Sequence, residues 1–106
     1  MIDEILLHVE KEYPKEACGL IVFDGKEEIW IPCKNVSEFP EEEFLFDQRE
    51  FINAQIHYDI LKIVHSHSDS SADPSPHDKS ACKAIKIPYL IIGWPEGDIR
   101  EILPNE

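Results

Sequence analysis

Three of the five histidines in this chain lie in the segment VHSHSDSSADPSPHD, residues 64–78, together with three aspartates. His65 and His67 are two residues apart in a predicted strand, so their side chains point to the same face. Asp78 falls in the first turn of the next predicted helix and can reach back across the loop. Two imidazoles and one carboxylate are the ligand types that hold catalytic zinc and leave a position for water. The spacing therefore indicates a metal site.

The same residues also have explanations that need no metal. A histidine pair of this kind can be solvated or hydrogen-bonded, and Ser75 with Asp78 matches a helix capping box. Asp69 and Asp73 are residues that turns favour. Together with His77, they are expected to be loop or cap residues rather than ligands.

The elements on either side of this loop determine where its side chains can meet. The apolar segment 59–67 is typical of a strand that is buried on both faces, and ligand sites tend to lie at the carboxyl end of such strands. The segment SPHDKSACKAI predicts a helix with Ser75 at its N-cap and Pro76 in its first turn. We expect the first turn of this helix to place Asp78 where its carboxylate can reach back across the loop.

Hydrophobic periodicity and turn residues predict the rest of the fold. Asp47 and Glu50 match a capping box for the second helix. Helices that alternate with strands, some of them in hairpins, predict an α/β (α+β) fold with a mixed sheet flanked by helices. The further predicted elements are a helix over 2–13, strands over 18–23, 27–33 and 44–46, a helix over 47–57, and strands over 89–94 and 99–103.

Composition limits the classes of function. The 106 residues are enough for one domain over 1–106. The net charge of -12 opposes binding to nucleic acid or to anionic membranes. No apolar run reaches the length of a membrane span, and the N-terminus lacks the features of a signal peptide, which predicts cytoplasmic synthesis. Cys18, Cys33 and Cys82 have no zinc-site spacing and are expected to be buried free thiols.

Five residues at fixed spacing resemble the motif of the JAB1/MPN/Mov34 (JAMM) metalloproteases, H-[ST]-H-x7-S-x2-D with an upstream glutamate. The segment HSH at 65–67 is followed at this spacing by Ser75 and Asp78. Glu16, in PKEACGLIVF, precedes a strand as the family's glutamate does. The resemblance implies the three-layer JAB/MPN fold, which is similar to that of cytidine deaminases.

The resemblance also implies a reaction and a role for each residue. His65, His67 and Asp78 would bind one zinc ion per chain, and zinc-bound water would hydrolyse an amide bond in a peptide or protein substrate. Glu16 would take a proton from this water and pass it to the leaving amine. Ser75 would donate a hydrogen bond to the oxyanion. The resemblance thus implies a zinc metallopeptidase or isopeptidase.

Nearly the whole chain resembles the N-terminal domain of the lambda-like phage tail assembly K proteins, in segments such as PCKNVSEFPEEEFLF and PYLIIGWPEGDI. The resemblance implies a role in tail tip assembly or cell-wall penetration, with tail tip proteins as partners and a location in the virion tail. Those proteins usually carry a second, NlpC-type cysteine peptidase domain. Because this chain stops at Glu106, we expect it to be a part of a longer protein or a stand-alone relative. Ser68 stands where family members commonly have proline.

Two other functions remain open at this point. The chain could be a structural tail protein with a non-catalytic zinc site. It could also be a cellular JAMM enzyme that processes ubiquitin-like or sulfur-carrier proteins, although the segments PCKN and GWPEGD favour the tail family.

A cysteine nucleophile is not expected at Cys18, because no histidine can activate it without leaving the zinc site.

Overall fold

Five strands and three helices make up the computed structural model, which describes all 106 residues. The predicted helices and most of the predicted strands are present within one residue of their expected bounds. A membrane span would need a longer and more hydrophobic helix than any of these three. In chain order the elements are α1 (Ile2–Glu12), β1 (Cys18–Phe23), β2 (Glu28–Cys33), α2 (Gln48–His57), β3 (Asp59–Ser68), α3 (Pro76–Ile85), β4 (Tyr89–Trp94) and β5 (Ile99–Ile102).

The strands form one mixed sheet in the order β2-β1-β3-β4-β5. Only β3 and β4 run parallel, and α3 connects them because parallel neighbours need a crossover. The other three pairs are antiparallel. The loop after β3 and the start of α3 therefore lie at the carboxyl edge of the central strand, as the sequence predicted.

Helices cover both faces of the sheet, which gives three layers. Apolar side chains of α2 and α3 pack with Leu20, Ile63 and Ile91 on one face. Ile5 and Val9 of α1 pack on the opposite face. Because successive strand residues point to opposite faces and both faces are covered, β1 and β4 are apolar at nearly every position. The predicted α+β fold with a mixed sheet and flanking helices is confirmed.

Two local predictions in the connection between β2 and α2 were wrong. No strand forms at 44–46; only Phe46 pairs, in a single bridge with Asn35. Phe46 and its aromatic neighbours pack against the core from a loop, so their hydrophobicity did not require a strand. Asp47 does cap α2, but the capping box is absent, because the carboxylate of Glu50 accepts from the Lys34 N–H at 3.1 Å.

One side chain fixes the shape of this connection. The amide group of Asn35 donates to three backbone carbonyls and accepts from two backbone N–H groups. It joins the segment before β1 to the loop before α2. The donated bonds reach Glu16 (2.9 Å), Pro40 (3.3 Å) and Glu43 (3.0 Å), and the accepted ones come from Ser37 (3.0 Å) and Leu45 (3.1 Å).

We predict that Asn35→Ala lowers the free energy of unfolding by about 2 kcal/mol or more, because several backbone groups lose their partner together. Urea unfolding followed by circular dichroism measures the change. The matched control is Asn53→Ala, at an exposed position of α2, which should alter stability by less than about 0.5 kcal/mol. Equal effects of the two substitutions would show that Asn35 does not hold the connection.

Candidate metal centre

The two histidines of the HSH segment lie at the carboxyl end of β3, the middle strand of the sheet. His65 and His67 face the layer that contains α3, whereas Val64 packs toward α1 on the other face. The fold thus places both imidazoles opposite the first turn of α3, where Asp78 is located.

His65, His67 and Asp78 form a close group whose ligand atoms all lie within 4.8 Å of one another. Asp78 Oδ1 is 3.0 Å from Nε2 of His65, and Asp78 Oδ2 is 3.0 Å from Nε2 of His67. One carboxylate therefore faces both imidazoles. This group could hold a metal ion.

The helix cap and the carboxylate of the cluster are the same group. The N–H of Asp78 donates to Ser75 Oγ at 3.0 Å, and the N–H of Ser75 donates to Asp78 Oδ2 at 2.9 Å, which completes a capping box. These bonds fix the rotamer of Asp78 and aim its carboxylate at the histidines. The two interpretations of Ser75 and Asp78 from the sequence are therefore compatible.

The hydrogen bond of His67 determines which of its ring nitrogens faces the cluster. Nδ1 lies 2.8 Å from the carbonyl oxygen of Ser71. Because a carbonyl only accepts, Nδ1 must carry a proton. In the neutral ring, Nε2 then points a lone pair at the carboxylate of Asp78. Two acceptors at this distance need a cation between them, either a proton or a metal ion.

His65 is enclosed by other side chains and is only 2% exposed. Its ring stacks on Phe44, with centroids 4.5 Å apart, and meets the edge of Tyr89. Carboxylate oxygens of Asp78 and Glu16 lie 3.0 and 3.5 Å from its nitrogens, but neither nitrogen has a partner in hydrogen-bonding geometry. Buried nitrogens of this kind are rare in proteins. The donor set of two imidazoles and one carboxylate fits a zinc ion. The unpaired nitrogens of His65 fit the same interpretation, because a zinc ion would give one of them a partner.

The electrostatics of the cluster also favour a cation. Burial by itself lowers the pKa of His65, but the nearby carboxylates of Asp78 and Glu16 outweigh it and raise the pKa to about 9. Burial acts to raise the pKa of Asp78, and the two imidazoles overcome it and hold that pKa well below its usual range. Protonated imidazoles therefore balance the charge of the buried carboxylate, and a metal ion would take the place of these protons.

Glu16 is buried beside the cluster, just before β1. Its N–H donates to the carbonyl of Pro40 at 2.6 Å. The next residue, Ala17, is bonded twice to Ser66: its N–H donates to Oγ at 2.8 Å, and its carbonyl accepts from the Ser66 N–H at 3.0 Å. Ser66 thus tethers the segment of Glu16 to β3 between the two histidines, and the carboxylate of Glu16 comes within 3.5 Å of His65.

A cleft of about 760 Å³ opens over this cluster, between α3 and the segment 41–46. Ser75 lies on its wall. Because Ser75 Oγ accepts from the N–H of Asp78, its own hydroxyl proton is free to point into the cleft. The cleft brings together all five residues singled out in the sequence, Glu16, His65, His67, Ser75 and Asp78.

The remaining polar residues of the segment 64–78 lie outside the cluster. Asp69, which has a positive φ of 57°, accepts a hydrogen bond from the hydroxyl of Tyr13. Asp73 pairs with Arg100 at 3.1 Å. His77 is exposed at the mouth of the cleft. Cys18 is fully buried, and burial raises its thiol pKa, which makes it a poor nucleophile.

Several residues that shape the site had no signal in the sequence. Phe44 and Tyr89 enclose His65 from a loop and from the neighbouring strand. Ser71 contributes only a backbone carbonyl, which any residue could supply. Asn35 follows β2 and could have been suspected only as a polar residue at the end of a strand.

Comparisons with known proteins agree with this architecture. The family described as prokaryotic homologs of the JAB domain matches residues 1–103. The tail tip assembly protein K of Escherichia phage N15 is 40% identical over 104 residues, which cover 98% of this chain and 43% of that protein. A probable TtuB-protein conjugate cleaving protease of Thermus thermophilus is 32% identical over 98 residues, 88% of this chain and 66% of that protein.

The crystal structure of a JAB1/MPN domain protein from Archaeoglobus fulgidus has the same fold, with a TM-score of 0.68 and 20% sequence identity. The match covers 98% of this chain and 84% of that one. The chain spans less than half the length of its phage N15 relative and 66% of its Thermus relative. The profile match over almost every residue, together with the phage relative, shows that this chain belongs to the prokaryotic homologs of the JAB domain.

Proposed function

We propose that this chain is a zinc-dependent amide hydrolase of the JAMM type, with a peptide or protein substrate. The observation that carries the proposal is the group formed by His65, His67 and Asp78 in a cleft that also contains Glu16 and Ser75. Buried ionisable groups with shifted pKa values in a cleft are typical of catalytic sites. The family membership supports the same interpretation, and one relative is named as a probable protease.

Zinc would be held by Nε2 of His65, Nε2 of His67 and the carboxylate of Asp78. Bound there, zinc would act as a Lewis acid that lowers the pKa of water and polarises a carbonyl. The hydrogen bond from His67 Nδ1 to the carbonyl of Ser71 orients this ligand, as the outer hydrogen bonds of metal-binding histidines usually do.

Glu16 and Ser75 would move protons and stabilise charge around the scissile amide. Glu16 is held on two sides, by Pro40 and by the tether of Ala17 to Ser66, and its carboxylate faces the cleft. It would accept a proton from the attacking water and then give that proton to the leaving amine. The free hydroxyl proton of Ser75 would hydrogen-bond to the oxyanion.

The phage relative supports a role in the assembly of a tail tip, with tail tip proteins as partners or substrates and a location in the virion tail. The Thermus relative supports a second candidate, the cleavage of an isopeptide bond in a protein conjugate. Both candidates use the same chemistry. They differ in whether the amide nitrogen comes from a backbone or from a side-chain amine.

The first prediction from the proposed function concerns metal content. We expect one zinc ion per purified chain, and we expect His65→Ala/His67→Ala to contain none, because only one of the three protein ligands remains. Elemental analysis measures both proteins. His8→Ala/His57→Ala is the matched control, since it removes two histidines outside the cleft and should keep the metal. A full equivalent of zinc in the His65/His67 variant would overturn the ligand assignment.

The second prediction concerns the general base. Glu16→Gln should lower kcat by about a hundredfold or more, because the amide has nearly the same shape but cannot accept the proton. Zinc content and unfolding should stay as in the wild type. Fluorogenic peptide and isopeptide substrates measure the rate. Glu41→Gln, at an exposed acid that lines the same cleft, should change kcat by less than about twofold.

Tail assembly provides the contrasting measurement for the same variant. A phage that carries Glu16→Gln should produce infectious particles at reduced titre if hydrolysis matters for its tail. Normal titres, combined with no detectable hydrolysis by either protein, would favour a structural tail component with a non-catalytic metal site.

The third prediction separates the two roles of Ser75. Glycine is a good N-cap, so Ser75→Gly should cost only a few tenths of a kcal/mol in stability, whereas Ser75→Ala should cost about 1 kcal/mol. Both variants lack the hydroxyl, so both should lose about a hundredfold in kcat. If Ser75→Gly retains full activity with full zinc content, the hydroxyl does not stabilise the oxyanion.

A further inference from the structure

A chain of hydrogen bonds leads from His67 through one peptide group to the carboxylate of Asp98. Nδ1–H of His67 donates to the carbonyl of Ser71 at 2.8 Å. The N–H of Ala72 donates to Asp98 Oδ2, also at 2.8 Å. The carbonyl of Ser71 and the N–H of Ala72 belong to the same peptide group. Asp98 therefore binds the far side of the group that orients His67.

Gly93, near the end of β4, leaves the space in which Asp98 contacts Ala72. A Cβ atom on Gly93 would lie 2.2 Å from Asp98 Oδ1 and 2.7 Å from the nitrogen of Ala72. Only glycine leaves room there for the carboxylate and the amide to meet. The N–H of Gly93 also donates to the carbonyl of Asp98 at 2.8 Å, which fixes the turn against β4.

Further hydrogen bonds hold the loop after β3 against the end of β4. The N–H of Asp69 donates to the carbonyl of Trp94 at 2.7 Å, and Ser70 forms a bridge with Trp94. Ala72 is 1% exposed and packs into the core. The peptide between Ser71 and Ala72 is thus fixed from both of its polar ends.

We propose that Asp98 is a positioning residue for His67 and acts through the peptide group of Ser71 and Ala72. The inference rests on the proposed function, in which His67 binds zinc. A carboxylate behind a ligand histidine fixes its tautomer and strengthens metal binding. Hydrogen bonds in series polarise one another, so a peptide group can transmit part of that effect. Because Asp98 lies at the surface, solvent screens its charge, and we expect its effect on zinc binding to be at the lower end of the usual range.

Asp73 provides a matched comparison in the same loop. Its carboxylate is exposed and pairs with Arg100 at 3.1 Å. No arginine, lysine or histidine forms an ion pair with Asp98, so its structural partner is the Ala72 amide. Removing the charge of Asp73 therefore changes the local charge by the same amount without touching the peptide that orients His67.

Zinc affinity, measured by competition with a chromogenic chelator, tests the proposal. Asp98→Ala should weaken binding by about tenfold, the lower end for outer partners of a metal ligand. Asp98→Asn should weaken it less, because its amide oxygen can still accept. Asp73→Asn should leave affinity unchanged within about twofold. Wild-type affinity in Asp98→Ala overturns the proposal, and should the alanine variant not fold, wild-type affinity in Asp98→Leu, which also lacks an acceptor, overturns it.

A second measurement needs no metal. In the metal-free protein, the Nδ1–H proton of His67 should be protected from exchange with water and visible by nitrogen-15 NMR. Protection should be lost in Asp98→Ala and retained in Asp73→Asn, and the amide of Ala72 should exchange faster only in the former. Unchanged protection in Asp98→Ala contradicts the role of Asp98. If the wild type binds no zinc, the proposed function fails, and this measurement still decides whether Asp98 orients His67.

Discussion

The carboxylate of Asp78 is the group on which the rest of the site depends. It accepts from the N–H of Ser75 at the start of α3 and lies 3.0 Å from both His65 and His67. A carboxylate that is 4% exposed is costly unless its charge is balanced. The cap satisfies one side of it, and a cation shared with the histidines satisfies the other. The start of α3 and the candidate metal centre are therefore one structural unit.

The topology of the sheet makes this unit possible. Because β3 and β4 are parallel, α3 must cross between them, and its first turn falls at the carboxyl end of the central strand. Antiparallel pairing of the same two strands would allow a tight turn and would leave no helix start there. The central position of β3 also explains why His65 is surrounded by Phe44 and Tyr89 rather than by water.

Two loop segments hold Glu16 and His67 in place. The connection before α2, organised by Asn35, fixes the backbone of Glu16. The loop after β3, resting on the turn that contains Asp98, fixes the carbonyl that orients His67. Neither segment has regular secondary structure over most of its length. Hydrogen bonds from side chains to the backbone fix the positions of these segments. Such bonds can hold a loop as firmly as the backbone hydrogen bonds of a sheet hold its strands.

The sequence predicted every helix and strand of the sheet through local periodicity and capping residues, and it singled out five residues through its resemblance to the JAMM motif. It did not determine that 44–46 would pack as a loop, that Glu50 would bond to Lys34, or that Asp98 would reach Ala72. These contacts join residues that are distant along the chain. Several of them are made through backbone groups, which every residue carries. They depend on the three-dimensional arrangement of the chain, because the sheet order sets which backbone groups are left for a side chain to satisfy.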